Sequence, residues 1–191
     1  MTKNLILLLA LLAAVVPAAA TEYLVNGNFE QPIDVGWDTV ALNLAGVDTF
    51  TWSDTLGQPT PGYAVAVHKC LASYASLSQT VDVPDANLAL TFDGRFSIGG
   101  GSSTCWPAAA MIVHYSDASG TSLGNTCIYL HNQYCAWASS DTQSLIDVTT
   151  PDTWSPYSLN IRTELANHLP GINPANVAKI TVDIYAYDNG T

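Results

Sequence analysis

Basic side chains are scarce in this chain of 191 residues, with five Lys and Arg against sixteen Asp and Glu and a formal net charge of −11 at pH 7. Nucleic acids and anionic lipid headgroups both present phosphate, which needs basic contacts, so this balance excludes nucleic-acid partners and adhesion to anionic membranes. Long apolar runs are missing as well, with one exception. Leu5 to Val16 is uninterrupted, but it is too short for a span, which needs roughly 20 apolar residues. Lys3 precedes it and Ala18-Ala19-Ala20 follows, the form of a secretory leader cut after Ala20. Residues 1–20 are therefore expected to be removed and 21–191 to form a single exported domain, extracellular or at the cell surface, with room for a substantial core. Its basic residues are then Lys69, Arg95, Arg162 and Lys179. No cysteine follows the cut to carry a bacterial lipid anchor.

Several chemical signatures are also absent. No C-x-x-C pair occurs, and His68, His114, His131 and His168 lack zinc-type spacing. There is no G-x-S-x-G elbow for serine chemistry, no Glu-x-Asp-x-x-Glu strand signature of jelly-roll glucanases, no internal repeat and no low-complexity linker. Glycoside hydrolysis would need two carboxylates across one cleft, and Asp93 is expected to pair with Arg95 on its own strand face instead. His114 alternates with the apolar set of its strand, which directs it to solvent or to a concave sheet face.

What remains is a period of two. In "LALTFDGRFSI", Leu88, Leu90, Phe92, Phe96 and Ile98 share one face, and Thr91, Asp93, Arg95 and Ser97 the other. "KITVDIYAY" sets Ile180, Val182, Ile184 and Ala186 against Thr181, Asp183, Tyr185 and Tyr187. Similar runs lie near 63–68, 76–83, 109–115, 122–130 and 157–161, separated by Pro-Asp, Ala-Ser-Gly and Gly-Gly-Gly turns. Only "TELANHLPG", residues 163–171, has the form of a helical turn, which Pro170-Gly171 stops. About ten short, one-sided strands predict an all-β chain, an antiparallel β-sandwich or jelly roll.

If each connection reverses the chain, the turns at 70–76, 98–108 and 130–141 fall at one end, and those at 83–87 and 116–121 at the other. Cys70, Cys105 and Cys135 then share a rim, with Cys127 on the strand leading to it. In an oxidising compartment four cysteines predict disulfides. Cys127–Cys135 with Cys70–Cys105 is the favoured set, with the other two pairings open. Tyr74, Trp106, His131, Tyr134 and Trp137 lie on the same rim, where rings on stiff loops can stack on sugar. Trp106 and Trp137 have a second role open to them, that of filling the end of the sandwich. Arg95, Asp93, His114 and Arg162 are polar residues that could line a shallow groove on a sheet face.

"LVNGNFEQPIDVGW" (24–37), "SLSQTVDVP" (76–84), "TWSPYSLNI" (153–161) and "VAKITVDIYAYDNGT" (177–191) together resemble the carbohydrate-binding-module-like jelly rolls of the galactose-binding-like superfamily, in order and across nearly the whole exported chain. The resemblance implies that Phe29 and Trp37 anchor the first strand and turn, that Gly27 takes a backbone angle a side chain would oppose, and that a buried Trp154 introduces the strand at 153–161. It also implies that Glu30 contributes to a structural calcium site, calcium being a hard cation that takes several oxygens. In these relatives a final strand follows the turn at Asp188-Asn189-Gly190, so the strand at 177–187 is expected to be the penultimate one. With the last strand missing, a neighbouring edge would be exposed to edge-to-edge self-association. "IRTEL" (161–165) resembles the strand motif of certain alginate lyases, without their Gln-x-His and Tyr-Lys-Tyr partners.

The function expected is binding of extracellular glycans without catalysis. Trp106, Tyr134 and Trp137 would stack on sugar while Arg95, Asp93 and His131 add hydrogen bonds. The alternative is a structural or adhesive surface protein making protein–protein contacts, and more remotely a polysaccharide lyase or glycoside hydrolase.

Overall fold

A computed structural model describes residues 21–42, 49–59, 61–70 and 72–190. The expected leader lies outside the described residues. The strands are β1 (Asp38–Ala41), β2 (Thr49–Ser53), β3 (Ala64–His68), β4 (Ser73–Asp82), β5 (Ala89–Gly94), β6 (Pro107–Ser116), β7 (Ser122–His131), β8 (Gln143–Asp147) and β9 (Ser155–Asn160). Helix α1 (Ile161–His168) follows β9, and β10 (Lys179–Asp188) comes last.

These elements make a β-sandwich. One layer is a six-stranded sheet in the order β1-β4-β10-β6-β7-β8, and the other consists of the pairs β2-β3 and β5-β9. The period of two decides which residues enter the core. Leu77, Met111, Val113, Tyr115, Ile128, Ile180 and Val182 face inward from the large sheet. Leu159, Leu90, Phe92, Phe50, Val65 and Val67 come from the second layer to meet them. A Leu or Ile fully buried here contributes about 1.5–3 kcal/mol.

Helix α1 closes one flank. Asn160 caps it by accepting from the Thr163 amide at 2.9 Å, which satisfies one of the unpaired first-turn donors. Ile161 and Leu165 are buried. Glu164, on the same helix, is buried too and accepts from the Thr126 hydroxyl at 3.4 Å, which in turn shares a 2.9 Å bond with the Tyr115 hydroxyl. "IRTEL" is thus helical and packed into the core, not a strand lining a cleft.

The opening stretch behaves as an anchor. Trp37 is buried, its ring 5.1 Å from Phe29, and its Nε1 donates to the Asn26 carbonyl at 3.2 Å. The left-handed angles belong to Asn26 (φ 52°) and Phe29 (φ 56°), not to Gly27 as expected. Asn26 accounts for part of this, because its side chain bonds the Gln31 amide and the carbonyls of Gln31 and Pro32, bridging the turn. Trp154 is half-buried rather than buried, and Leu159 supplies the inward anchor of its strand.

Two connections differ from expectation. First, β10 is paired along its length with β4 on one side and β6 on the other. The strand read as penultimate therefore has no open edge, and the open edges of the large sheet among the described residues are β1 and β8. Second, β8 runs parallel to β7, from Asn125↔Gln143 to Tyr129↔Asp147. A parallel pair cannot be joined by a tight turn. Residues 132–142 therefore leave β7 at one end of the sheet and return as a strap over its outer face. The bend back is tight at Gly124, whose φ is 150° and whose added Cβ would lie 2.1 Å from the Thr142 carbonyl oxygen. The Asn125 amide bonds that same oxygen at 2.9 Å.

Candidate functional site

The register fixes what the outer face of the large sheet displays. Ser73 pairs with Asp188 and Asp188 with Pro107, while Ala108 pairs with His131. The loops before β4, before β6 and after β7 therefore share one end, as expected. Below that end, Tyr74 lies opposite Tyr187. The next outward row is Val40, Ser76, Tyr185, Ala110, Tyr129 and Asp147, and the row after it is Asp38, Ser78, Asp183, Ile112, Cys127 and Leu145.

Rings dominate the upper rows. Tyr74 stacks on Tyr185 at 5.3 Å and Tyr185 on Tyr187 at 6.3 Å. The strap lays Trp137 beside them, 5.9 Å from Tyr129, 6.1 Å from Tyr185 and 6.0 Å from Tyr187. Trp106 meets Trp137 edge-on at 6.3 Å and Tyr187 at 5.0 Å. Burial pushes the Tyr129 hydroxyl up to about 12, with the Asp147 carboxylate adding to it, and the Tyr185 hydroxyl is raised by burial first and then by Asp183.

Below the rings sits Asp183, 8 % exposed. Its Oδ1 accepts from the Ser76 hydroxyl at 2.6 Å, and its Oδ2 lies 3.6 Å from His114 Nε2. The order is serine–carboxylate–histidine. The imidazole does not reach the hydroxyl here, so the arrangement is an acceptor held in place, not an activated nucleophile.

The expected site residues divide among three places. Trp137 and His131 join the outer-face cluster. His131 stacks on Tyr129 at 4.5 Å, and its Nε2 lies 3.4 Å from Asp147. Trp106 reaches the same cluster but is only 9 % exposed, so it fills the sandwich end and has no ring face to offer a ligand. Tyr134 is on the strap and 40 % exposed. Asp93 and Arg95 are in the other layer, on the far side of the sandwich. Asp93 borders a shallow cleft of about 510 Å³ with Phe92, Pro156 and Tyr157. Both are exposed and no ion pair joins them, because β5 ends at Gly94 and Arg95 leaves the strand face. A further cavity of about 400 Å³ opens between residues 21–24 and β5, floored by Val113, Ile180 and Val182.

None of the four sulfurs is in a disulfide. Cys127 points from mid-strand onto the outer face, is buried, and bonds Asn125 Oδ1 at 3.3 Å. Its thiol is pushed up to about 12, by burial first and then by Asp183. Cys135, in the strap, packs against the cluster holding Cys127 and Tyr129, and burial raises its thiol also. Cys105 bonds Asp188 Oδ1 at 3.4 Å, which raises its thiol, while Cys70 is exposed with its sulfur 3.8 Å from His68 Nε2. The expected pairs thus meet other partners.

Glu30 is exposed, and the Asn28 Oδ1 beside it accepts from the Glu30 amide at 3.3 Å. Among the described residues no group of three or more His, Cys, Asp or Glu is placed to hold a metal ion. No described helix is long and apolar enough to cross a membrane.

The residues that the sequence reading passed over are Ser76, Asp183, Tyr185, Tyr187 and Tyr129. Their signal was present. The outward half of "KITVDIYAY" carries an acid and two tyrosines where a solvated strand would carry small or charged residues, and Tyr74 heads the strand that lies beside it.

No family model matches the chain, and no curated protein matches it. Among solved structures it is similar to a family 11 carbohydrate-binding module from Clostridium thermocellum, determined in complex with a beta-1,3-1,4-mixed-linked tetrasaccharide. The alignment covers 85% of this chain and 89% of that one, at 10% sequence identity and a TM-score of 0.40.

Proposed function

We propose that the protein binds glycan chains, without catalysis, on the outer face of the six-stranded sheet beside the strap. The observation that carries this reading is the ring ladder Tyr74, Tyr185 and Tyr187, walled by Trp137 and footed by the Ser76–Asp183 pair. Tyrosine and tryptophan rings offer apolar faces to sugar C–H groups, and a fixed carboxylate accepts from hydroxyls. The rings already pack on one another, so little freedom is lost on binding. Against catalysis, Asp183 and Asp147 lie three strand spacings apart, about 14 Å at roughly 4.8 Å each. The two carboxyls of a glycosidase stand about 5–9.5 Å apart. Secretion follows from the leader and fits an extracellular glycan.

Affinity electrophoresis through gels containing polysaccharide, together with calorimetry on oligosaccharides, tests the proposal. Tyr74→Ala and Tyr185→Ala should each weaken binding by about tenfold or more, which is about 1.4 kcal/mol, while the folded circular dichroism is kept. Exposed Arg95→Ala, on the other layer, should leave it unchanged. Retention by no glycan, or loss with Arg95→Ala alone, would place the function elsewhere.

A further inference from the structure

Resting on that reading, we infer that the outer face selects glycan chains bearing free amino groups, a cationic amino-sugar polymer rather than a neutral or uronate-containing one. Three observations converge on this.

The first is the state of Asp183. A carboxylate 8 % exposed among Ile112, Cys127 and Tyr185 loses hydration that only good pairing offsets. Its pairing here is incomplete. Ser76 satisfies Oδ1 at 2.6 Å, but His114 stands 3.6 Å from Oδ2, beyond a good hydrogen bond, and is itself 36 % exposed. An ammonium group arriving over β4 and β10 would give Oδ2 the charged donor it lacks, and charge-assisted bonds of this kind are the stronger ones.

The second is the rings beside it. Tyr185 neighbours Asp183 two residues along β10 on the same face, and Tyr74 stacks on Tyr185 at 5.3 Å. An ammonium held over a tyrosine face within about 6 Å is attracted by the ring as well, the more so the further it is desolvated. A neutral hydroxyl gains no such attraction.

The third is charge. Asp38 stands in the same row as Asp183, and Asp147 in the next. None of the described basic residues stands in those rows. Arg95 is in the other layer, Arg162 is on α1, and Lys179 at the far end of β10 is bonded to Asp82 at 2.5 Å, while Lys69 is in the loop before β4, beyond the ring end of the row that holds Asp183. With a net charge of −11 the whole molecule attracts a polycation and repels a polyuronate.

The test is calorimetric titration of the full chain with four oligomers of equal length. These are a glucosamine oligomer with its amines protonated, its N-acetylated counterpart, a neutral gluco-oligosaccharide and an oligogalacturonate. The inference expects the free-amine oligomer to bind at least about tenfold more tightly than the N-acetylated one, and the galacturonate not at all. Asp183→Asn should reduce that preference to about twofold or less, while Arg95→Ala on the other layer leaves it unchanged. Ser76→Ala, which keeps the charge but frees it, should lower the preference partially and guards against a misfolded Asp183 variant. Equal binding of amine and acetylated oligomers overturns the inference and leaves the glycan-binding reading standing. An amine preference unchanged in Asp183→Asn overturns it as well, since that outcome is adsorption to an acidic surface. Binding of none of the four removes both.

Discussion

Removing the Trp137 ring should loosen the strap. Trp137→Ala deletes a half-buried indole that meets Trp106, Tyr129, Tyr185 and Tyr187 at centroid distances of 5.9 to 6.3 Å. A fully buried Trp→Ala change costs about 3–5 kcal/mol. Partial exposure reduces the transfer part, while aromatic pairs contribute about 0.5–1.5 kcal/mol each beyond their area and do not add fully. The expected loss is about 2–4 kcal/mol. For a domain of this size each kcal/mol lowers the melting temperature by about 2–4 °C. Urea unfolding followed by far-ultraviolet circular dichroism gives the free energy, and near-ultraviolet dichroism reports the ring cluster directly. Tyr134→Ala is the internal control. It removes an aromatic ring from the same strap, but one that is 40 % exposed, and should fall within about 0.5 kcal/mol of the parent. If the two variants lose equal stability, or Trp137→Ala loses less than about 0.5 kcal/mol, the strap is not pinned by its tryptophan and the wall of the proposed site falls with it.

Two further perturbations follow from the packing. Gly124→Ala meets the Thr142 carbonyl at 2.1 Å with φ at 150°, so the start of β8 must move. Destabilisation by about 2 kcal/mol or more is expected in denaturant titrations, and a neutral result would show that the return of the strap is slack. Alkaline pH should also weaken the fold. The Cys127 thiol and the Tyr129 hydroxyl are both pushed up to about 12, Tyr185 is raised too, and the unfolded chain titrates near its ordinary values, about 8.5 for a thiol and 10 for a phenol. The unfolded state therefore binds fewer protons above about pH 8.5, and stability present below that value is lost progressively toward pH 12. A melting temperature constant from pH 8 to 10.5 would contradict the burial assigned to these groups.

How far the sequence led can be judged from single strands. Alternation placed Ile180, Val182, Leu90 and Phe92 inward and Asp183 and Tyr185 outward, because strand periodicity depends only on which residues are apolar. It could not show that β8 runs parallel to β7, since nothing local distinguishes a returning strap from a long hairpin loop. The choice left open for Trp106, between stacking on sugar and filling the sandwich end, could not be made from the sequence for a related reason. Its burial is supplied by Tyr187 and Trp137, whose sequence separations of 81 and 31 residues carry no local signal. Placing Arg95 and Asp93 with the rim aromatics overlooked that β5 belongs to the second layer. The helical turn read in "TELANHLPG" is present as part of α1, but its sequence did not show that Glu164 turns inward to Thr126.

The position of β10 sets an order on how the molecule can be assembled. Strand β10 occupies the middle of the large sheet, with β1 and β4 on one side and β6, β7 and β8 on the other. Until residues 179–188 leave the ribosome the two halves of that sheet have nothing to join them. Strand β4 stays unpaired on its inner edge until β10 is available. Pairing of β10 with β4 on one edge and β6 on the other is the step that closes the sheet.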